Sequence, residues 1–185
     1  MSEQGFSFSE QKLRDIAAEI LDYAKNRSAS ACETDVSEGY GQSVSVRRGE
    51  VETIEYNRDK GVGVTVYLGQ QRGYASSSDF SRDALRATVD AALSIARFTA
   101  PDPCAGLPEP ELLAREFRDL DLYHPWDLPV EEAIELARRC ENAAFAVSPL
   151  IRNSEGASVS TQQSHFVSAN SLGFIGGFAG SRHYY

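Results

Sequence analysis

Ser76, Ser77 and Ser78 run directly into Asp79, and hydroxyls beside a carboxylate are raw material for nucleophilic catalysis. That chemistry also needs a base to take the hydroxyl proton, and no histidine is close in sequence. The same four residues suit a strand end passing into a helix cap, where short polar side chains satisfy open backbone groups. Metal chemistry would need converging His, Cys, Asp or Glu. His124, His165 and His183 are widely spaced, and no pair has the i, i+4 interval of a helical zinc site. Cys32, Cys104 and Cys140 have no near partners. "GVGVTV" (61–66) carries two glycines of a dinucleotide loop, but Val66 stands where the third belongs and the run itself reads as strand. In "QSVSVRRGEVETIEY" (42–56), Arg47 and Arg48 invite a phosphate, yet Glu50 and Glu52 follow at once and oppose an anion. That ribbon reads as a β-hairpin turning at Gly49 with a solvated, mutually compensating charged face. The glycine–aromatic segment "SLGFIGGFAGSRHYY" (171–185) reads either as a hairpin packed on a neighbouring strand or as an edge strand open to an extended peptide. The residues alone therefore assign no catalytic, cofactor-binding or metal-binding position.

The elements that would carry these groups follow from periodicity. "SFSEQKLRDIAAEILDYAKNRS" opens with Ser7 and Glu10, the spacing of a capping box, and places Leu13, Ile16, Ala17, Ile20, Leu21 and Ala24 on one helical face. From Ala31 to Ser78 the pattern turns to about four antiparallel strands, with "NRDKG" (57–61) and "GQQRG" (69–73) as turns. Val51 and Ile54 are out of phase, which predicts a bulge or cover on both faces. A second helix follows Ser81, with Leu85, Val89, Ala92, Leu93 and Ala96 as its apolar stripe. Four prolines between residues 100 and 110 then break the pattern. Pro129 starts a third helix, and strand character returns after Pro149 in three runs, "LIRNSEGASVSTQQ", "SHFVSANS" and "GFIGGFAGSRHYY". The reading is α/β of the α+β type: a mainly antiparallel sheet flanked by helices, then the start of a second helix-plus-strand domain. Its divisions are an α-β-β-β-β-α domain at 1–100, a Pro-rich linker at 101–127, and a middle domain beginning at 128–185.

Composition limits the function classes. The 185 residues are 42% hydrophobic with a formal net charge of −9, enough apolar content for a core and the wrong sign for broad nucleic-acid binding. An odd cysteine count with wide spacing suits a reducing compartment. The N-terminus has no basic-then-apolar signal pattern, and no run of about 18 apolar residues exists to span a membrane.

Several stretches, in order, resemble the TldD/PmbA metalloprotease family. They are "SVSVRRGEVETIEYN", "GVTVYLGQQRGYASSSDFS", "ALSIARFTAPDPCAG", "DLDLYHPW", "EEAIELA", "RNSEG" and "ANSLGFIGGFAGSRHYY". Each alone is weak, and their order and spacing carry the assignment. "TAPDPCAG" and "DLDLYHP" point to the PmbA side of the family. The resemblance implies a cytoplasmic, zinc-dependent protease that trims or degrades flexible peptides. Its zinc is held by a His-Glu-x-x-x-His motif in a TldD-type partner, so no cofactor is expected in this chain. Partners implied are a TldD-type subunit in a heterodimer, or a second copy in a homodimer, with a peptide or unfolded protein as substrate and neither nucleic acid nor membrane. An older link to DNA gyrase gives the alternative, a non-enzymatic regulatory protein. Family members are longer than this chain, so the resemblance implies a stretch that shapes the chamber and the partner interface. It also implies strand edges prone to self-association.

Overall fold

The structure is a computed structural model that describes residues 5–185; residues 1–4, where the segment read for a signal sequence begins, lie outside the described residues. The elements run α1 (Glu10–Asn26), β1 (Ala31–Arg47), β2 (Glu50–Leu68), β3 (Gln71–Ser77) and α2 (Arg82–Phe98), then a 3-10 turn at Pro110–Leu112, α3 (Val130–Val147), β4 (Ala157–Asn170) and β5 (Ile175–Tyr184). All five strands form one antiparallel sheet in the order β3-β2-β1-β4-β5, flanked by the helices, so the α+β class holds. No helix among the described residues is long and apolar enough to cross a membrane.

The chain divides into two compact units that interleave in sequence. The first gathers the chain up to Glu38 with Asp59–Leu120 and His165–Phe178; the second gathers Gly39–Arg58, Asp121–Ser164 and Ala179–Tyr185. In the first unit, Leu13, Ile16, Ala17, Ile20 and Ala24 of α1 and Leu85, Val89, Ala92, Leu93 and Ala96 of α2 bury against Val36, Val62, Val64 and Val66. Each fully buried Leu, Ile or Val side chain of this set contributes about 1.5–3 kcal/mol. In the second unit, Ala133 and Ala137 of α3 and Leu128 meet Val44, Val46 and Val159. α2 lies so close to β3 that a Cβ on Gly73 would stand 2.0 Å from the Ala92 carbonyl oxygen.

Four local expectations are corrected. The cap of α1 is Ser9, whose Oγ accepts from the Lys12 amide at 3.1 Å, and not Ser7. The Ser7 and Phe8 amides instead donate to Glu38, a partner 30 residues away that no local rule can see. Ser81 is the N-cap residue of α2, as its position predicts, although its side chain makes no capping bond. "NRDKG" is not a turn: β2 runs straight through it, and only three strands fill 31–77. Turn residues are held extended there by side chains on neighbouring elements. Gln162 donates to Asn57 at 3.2 Å, and the Lys60 ammonium sits 5.3 Å from the Phe8 ring; such contacts outweigh weak strand propensity. Val51 and Ile54 are out of phase because neither is buried, at 38% and 45% exposure. Finally, the two runs read across 150–171 are one strand, β4, preceded by an irregular stretch.

Candidate functional site

The arginine ribbon is a hairpin, and its tip is already filled. Arg48 (φ 53°) and Gly49 (φ 78°) are both left-handed, the pattern of a two-residue hairpin turn. An arginine there is strained, and α3 supplies the compensation. The Arg48 and Gly49 amides each donate to the Glu141 carboxylate at 2.8 Å, and Arg138 Nε donates to the Gly49 carbonyl at 2.9 Å. These backbone donors hold the Glu141 carboxyl below the usual glutamate value, against the opposing effect of burial. The anion that a pair of turn amides would attract is thus a side chain of the protein itself. Arg48 Nη2 reaches Asn153 Oδ1 at 3.0 Å, and Arg47 lies 3.8 Å from Glu52.

The serine cluster is a strand exit. Ser77 Oγ accepts from the Asp79 amide at 3.0 Å, and Asp79 Oδ1 accepts from the Ser81 amide at 2.8 Å. The Ser81 contacts hold the Asp79 carboxyl below its usual value. Ser76, Ser77 and Ser78 line an open trough with Asp35, Ser37, Gly61, Gly63 and Tyr74, and no histidine is among its lining residues. Asp35 is engaged by the Ser168 hydroxyl. "GVGVTV" lies within β2, with Val62, Val64 and Val66 in the core and no helix following, so it does not form a phosphate loop.

The three histidines do not meet as a metal set. His165 is buried, stacked on Phe6 with ring centroids 3.9 Å apart. His124 turns back on Asp121 at 3.4 Å, and His183 Nε2 lies 2.9 Å from the His124 carbonyl. Among the described residues no group of three or more His, Cys, Asp or Glu is placed to hold a metal ion. The described residues therefore do not fit a zinc site. The cysteines are separate free thiols. Burial, with Glu33 adding to it, pushes the Cys32 thiol up to about 12, while Cys104 and Cys140 are exposed. A thiol reagent at pH 8 should accordingly modify two cysteines quickly in the native chain and the third only in denaturant, since the thiolate is the reactive form. Three fast thiols would contradict the packing of Cys32.

Two polar centres were not legible beforehand. In the first unit, Glu38 (2% exposed) accepts from the Ser7 and Phe8 amides at 2.8 and 3.0 Å and lies 3.5 Å from His165 Nε2. Burial alone would raise its pKa; the two amides, the Ser7 hydroxyl and His165 together outweigh burial and lower it. In the second unit, burial and Tyr123 push the Tyr40 phenol up to about 12, against the Arg58 guanidinium 5.1 Å from its ring. Gln42 donates to the Leu128 carbonyl at 2.5 Å. The available signal was polar residues at core-facing positions of alternating strands: Glu38 and Gln42 on β1, and Thr161, Gln163 and His165 on β4.

β5 returns along β4 as a hairpin at the sheet edge, with small residues against its neighbour as the hairpin reading had it, and part of its backbone is engaged within the chain. The Ser181 amide donates to the Leu122 carbonyl at 2.9 Å, and Ser181 Oγ accepts from the His124 amide at 2.8 Å. In the first unit Phe117 lies against Gly176. Gly177 allows the close approach of β4, since a Cβ there would stand 1.9 Å from the Phe166 carbonyl oxygen.

Comparison with known proteins gives concordant results. Residues 32–96 match domain 1 of the PmbA/TldA metallopeptidases, and residues 123–185 match the central domain of the same group. The chain is 46% identical over 171 residues to the metalloprotease PmbA of Escherichia coli O157:H7, covering 92% of this chain and 38% of that protein. It is 41% identical over 174 residues to a PmbA homologue of Haemophilus influenzae, covering 94% and 38%. It thus spans less than two fifths of the length of either relative. Among solved structures, a proposed DNA gyrase modulator of Bacteroides thetaiotaomicron superposes with a TM-score of 0.79 at 18% identity, over 95% of this chain and 40% of that one. TldE of Thermococcus kodakarensis superposes with a TM-score of 0.74 at 14% identity, over 90% and 37%. At those identities the two structures speak for the fold.

Proposed function

The chain belongs to the PmbA/TldD metallopeptidase family, and from that premise we propose that it is part of a peptidase subunit that helps process flexible peptides without supplying the catalytic metal. The observation that carries the reading is the ordered match to two family domains together with 46% identity over 171 residues to a metalloprotease. On this reading residues 1–100 and 128–185 correspond to the first and central domains, joined by 101–127, and act in the cytoplasm. A TldD-type partner holds zinc, which activates water against the peptide carbonyl. This chain's part is to shape the chamber and the interface. The test is digestion of an unfolded peptide by a TldD-type subunit with and without this chain, after co-purification of the two. Binding together with faster cleavage is the expected result. Equal cleavage by the TldD-type subunit alone would refute a required role.

A second reading is a non-enzymatic regulator of DNA gyrase, suggested by the name of the Bacteroides structural neighbour. The net charge of −9 gives it a surface able to approach a basic protein. Retention on immobilised gyrase subunits at physiological salt would support it, and no retention would remove it.

A further inference from the structure

Within the first unit, β2 lies between β1 and β3, and on one face it carries no side chains for two successive outward positions. Val62, Val64 and Val66 point into the core beneath α1 and α2, so Gly61 and Gly63 point the other way. The flanking strands do carry side chains on that outer face: Asp35 and Ser37 on β1, Tyr74 and Ser76 on β3, with Ser78 just past the strand end. A trough of about 730 Å³ results, floored by glycine and walled on both sides. That volume falls in the range of small-molecule sites.

The lining narrows the ligand. Tyr74 stands opposite Thr65 in the ladder but its ring reaches over Gly63, where an added Cβ would lie 3.1 Å from the phenol oxygen and 3.2 Å from Cε2. Tyr74 is nevertheless 52% exposed, so it offers apolar ring surface with a polar tip. The Ser37, Ser76, Ser78 and Tyr74 hydroxyls take no hydrogen-bond partner among the described residues, whereas Ser77 is engaged by Asp79. Ser168 donates to Asp35 Oδ1, which leaves Asp35 Oδ2 as an acceptor. No Lys, Arg or His is among the lining residues, and Lys60, next to the floor, is turned to the Phe8 and Phe80 rings at 5.3 and 5.1 Å. With Asp35 as the one charge lining the trough, an anion is repelled. An exposed aromatic ring, several hydroxyls and one carboxylate suit a molecule with a C–H face and a rim of hydroxyls. We propose that this trough binds a neutral saccharide, with Tyr74 as the platform and Asp35 and Ser76 as hydrogen-bonding walls. The two floor glycines are two residues apart, roughly 6.6 Å along the strand, so the trough holds one sugar ring at a time. The inference does not depend on the peptidase reading, because sugar binding is measured without activity.

The experiment is an NMR titration of the 185-residue chain with cellobiose and maltose as neutral probes and glucuronate as the anionic one. The expected result is millimolar binding of at least one neutral sugar, with shifts centred on Gly61, Gly63 and residues 74–78, and no response to glucuronate at the same concentration. Tyr74→Ala should weaken binding about tenfold, the loss of one stacking contact. Tyr74→Phe keeps the ring and should keep most of the affinity. Gly61→Val fills the floor where nothing lies within 4 Å of an added Cβ. Valine suits a strand, so this variant should fold as the wild type does and bind no sugar. Spectra unmoved by either neutral sugar up to its solubility would overturn the proposal. So would equal shifts from glucuronate, shifts from a tetraserine peptide but from neither sugar, or unchanged affinity in Gly61→Val.

Discussion

Gly73→Ala is expected to destabilise the chain by about 3 kcal/mol or more, at the upper end of overpacking changes. A methyl at this position would stand 2.0 Å from the Ala92 carbonyl oxygen and 2.5 Å from the Ala96 nitrogen. Overpacking is tolerable when a flexible side chain can turn aside. Here both obstacles are backbone of α2, which is fixed by Leu85, Val89 and Leu93 in the core. Relief requires α2 to lift from β3, or β3 to part from Val66, its partner in the ladder. Urea titration of the wild type and the variant measures the cost. Gly61→Ala is the control: nothing lies within 4 Å of its added methyl, so a change within about 0.5 kcal/mol is expected. If Gly73→Ala were as mild as the control, the close approach of α2 to β3 would be wrong.

Glu38→Ala should cost about 3 kcal/mol, because a buried charged acceptor is lost and its donors are left in place. The carboxylate receives the Ser7 and Phe8 amides and faces His165, so its removal loosens the entry to α1 from β1 and β4. Glu38→Gln keeps the shape and removes the charge, and it should recover part of the loss. The pH dependence has a definite sign. The folded-state pKa of Glu38 is lowered. Its contribution is therefore complete above the unfolded glutamate value of about 4.3 and is lost as pH falls through the lower, folded value. The wild type should lose stability faster than Glu38→Gln below about pH 4. Parallel curves for the two proteins down to pH 2.5 would sink this account.

The helical stripes were legible because helix burial repeats every three to four residues and needs no distant knowledge. Leu85, Val89, Ala92, Leu93 and Ala96 of α2 all lie in the core as their spacing predicts. The hairpin at Gly49 was legible from turn chemistry. The length of β2 was not. "NRDKG" has every local mark of a turn, and the strand continues because Tyr40, Gln162, Phe8 and Phe80 hold its side chains from other elements. The α1 cap moved from Ser7 to Ser9 for a similar reason, since Glu38 draws off the Ser7 amide.

By itself the sequence determined the helices, the antiparallel class, the acidic surface and, through the order of its short motifs, the family. Those properties reside in neighbouring residues or in a linear pattern. Only the tertiary structure decided what the charged ribbon does. Glu141 lies more than 90 residues from the turn amides it binds, and Arg48 can hold a left-handed conformation because that carboxylate is delivered by α3. The same holds for the two edges of the sheet. β5 spends part of its backbone on the segment at Leu122, while β2 runs on beyond the end of β3. Which edge is open depends on where distant segments come to rest, and a linear pattern does not encode that.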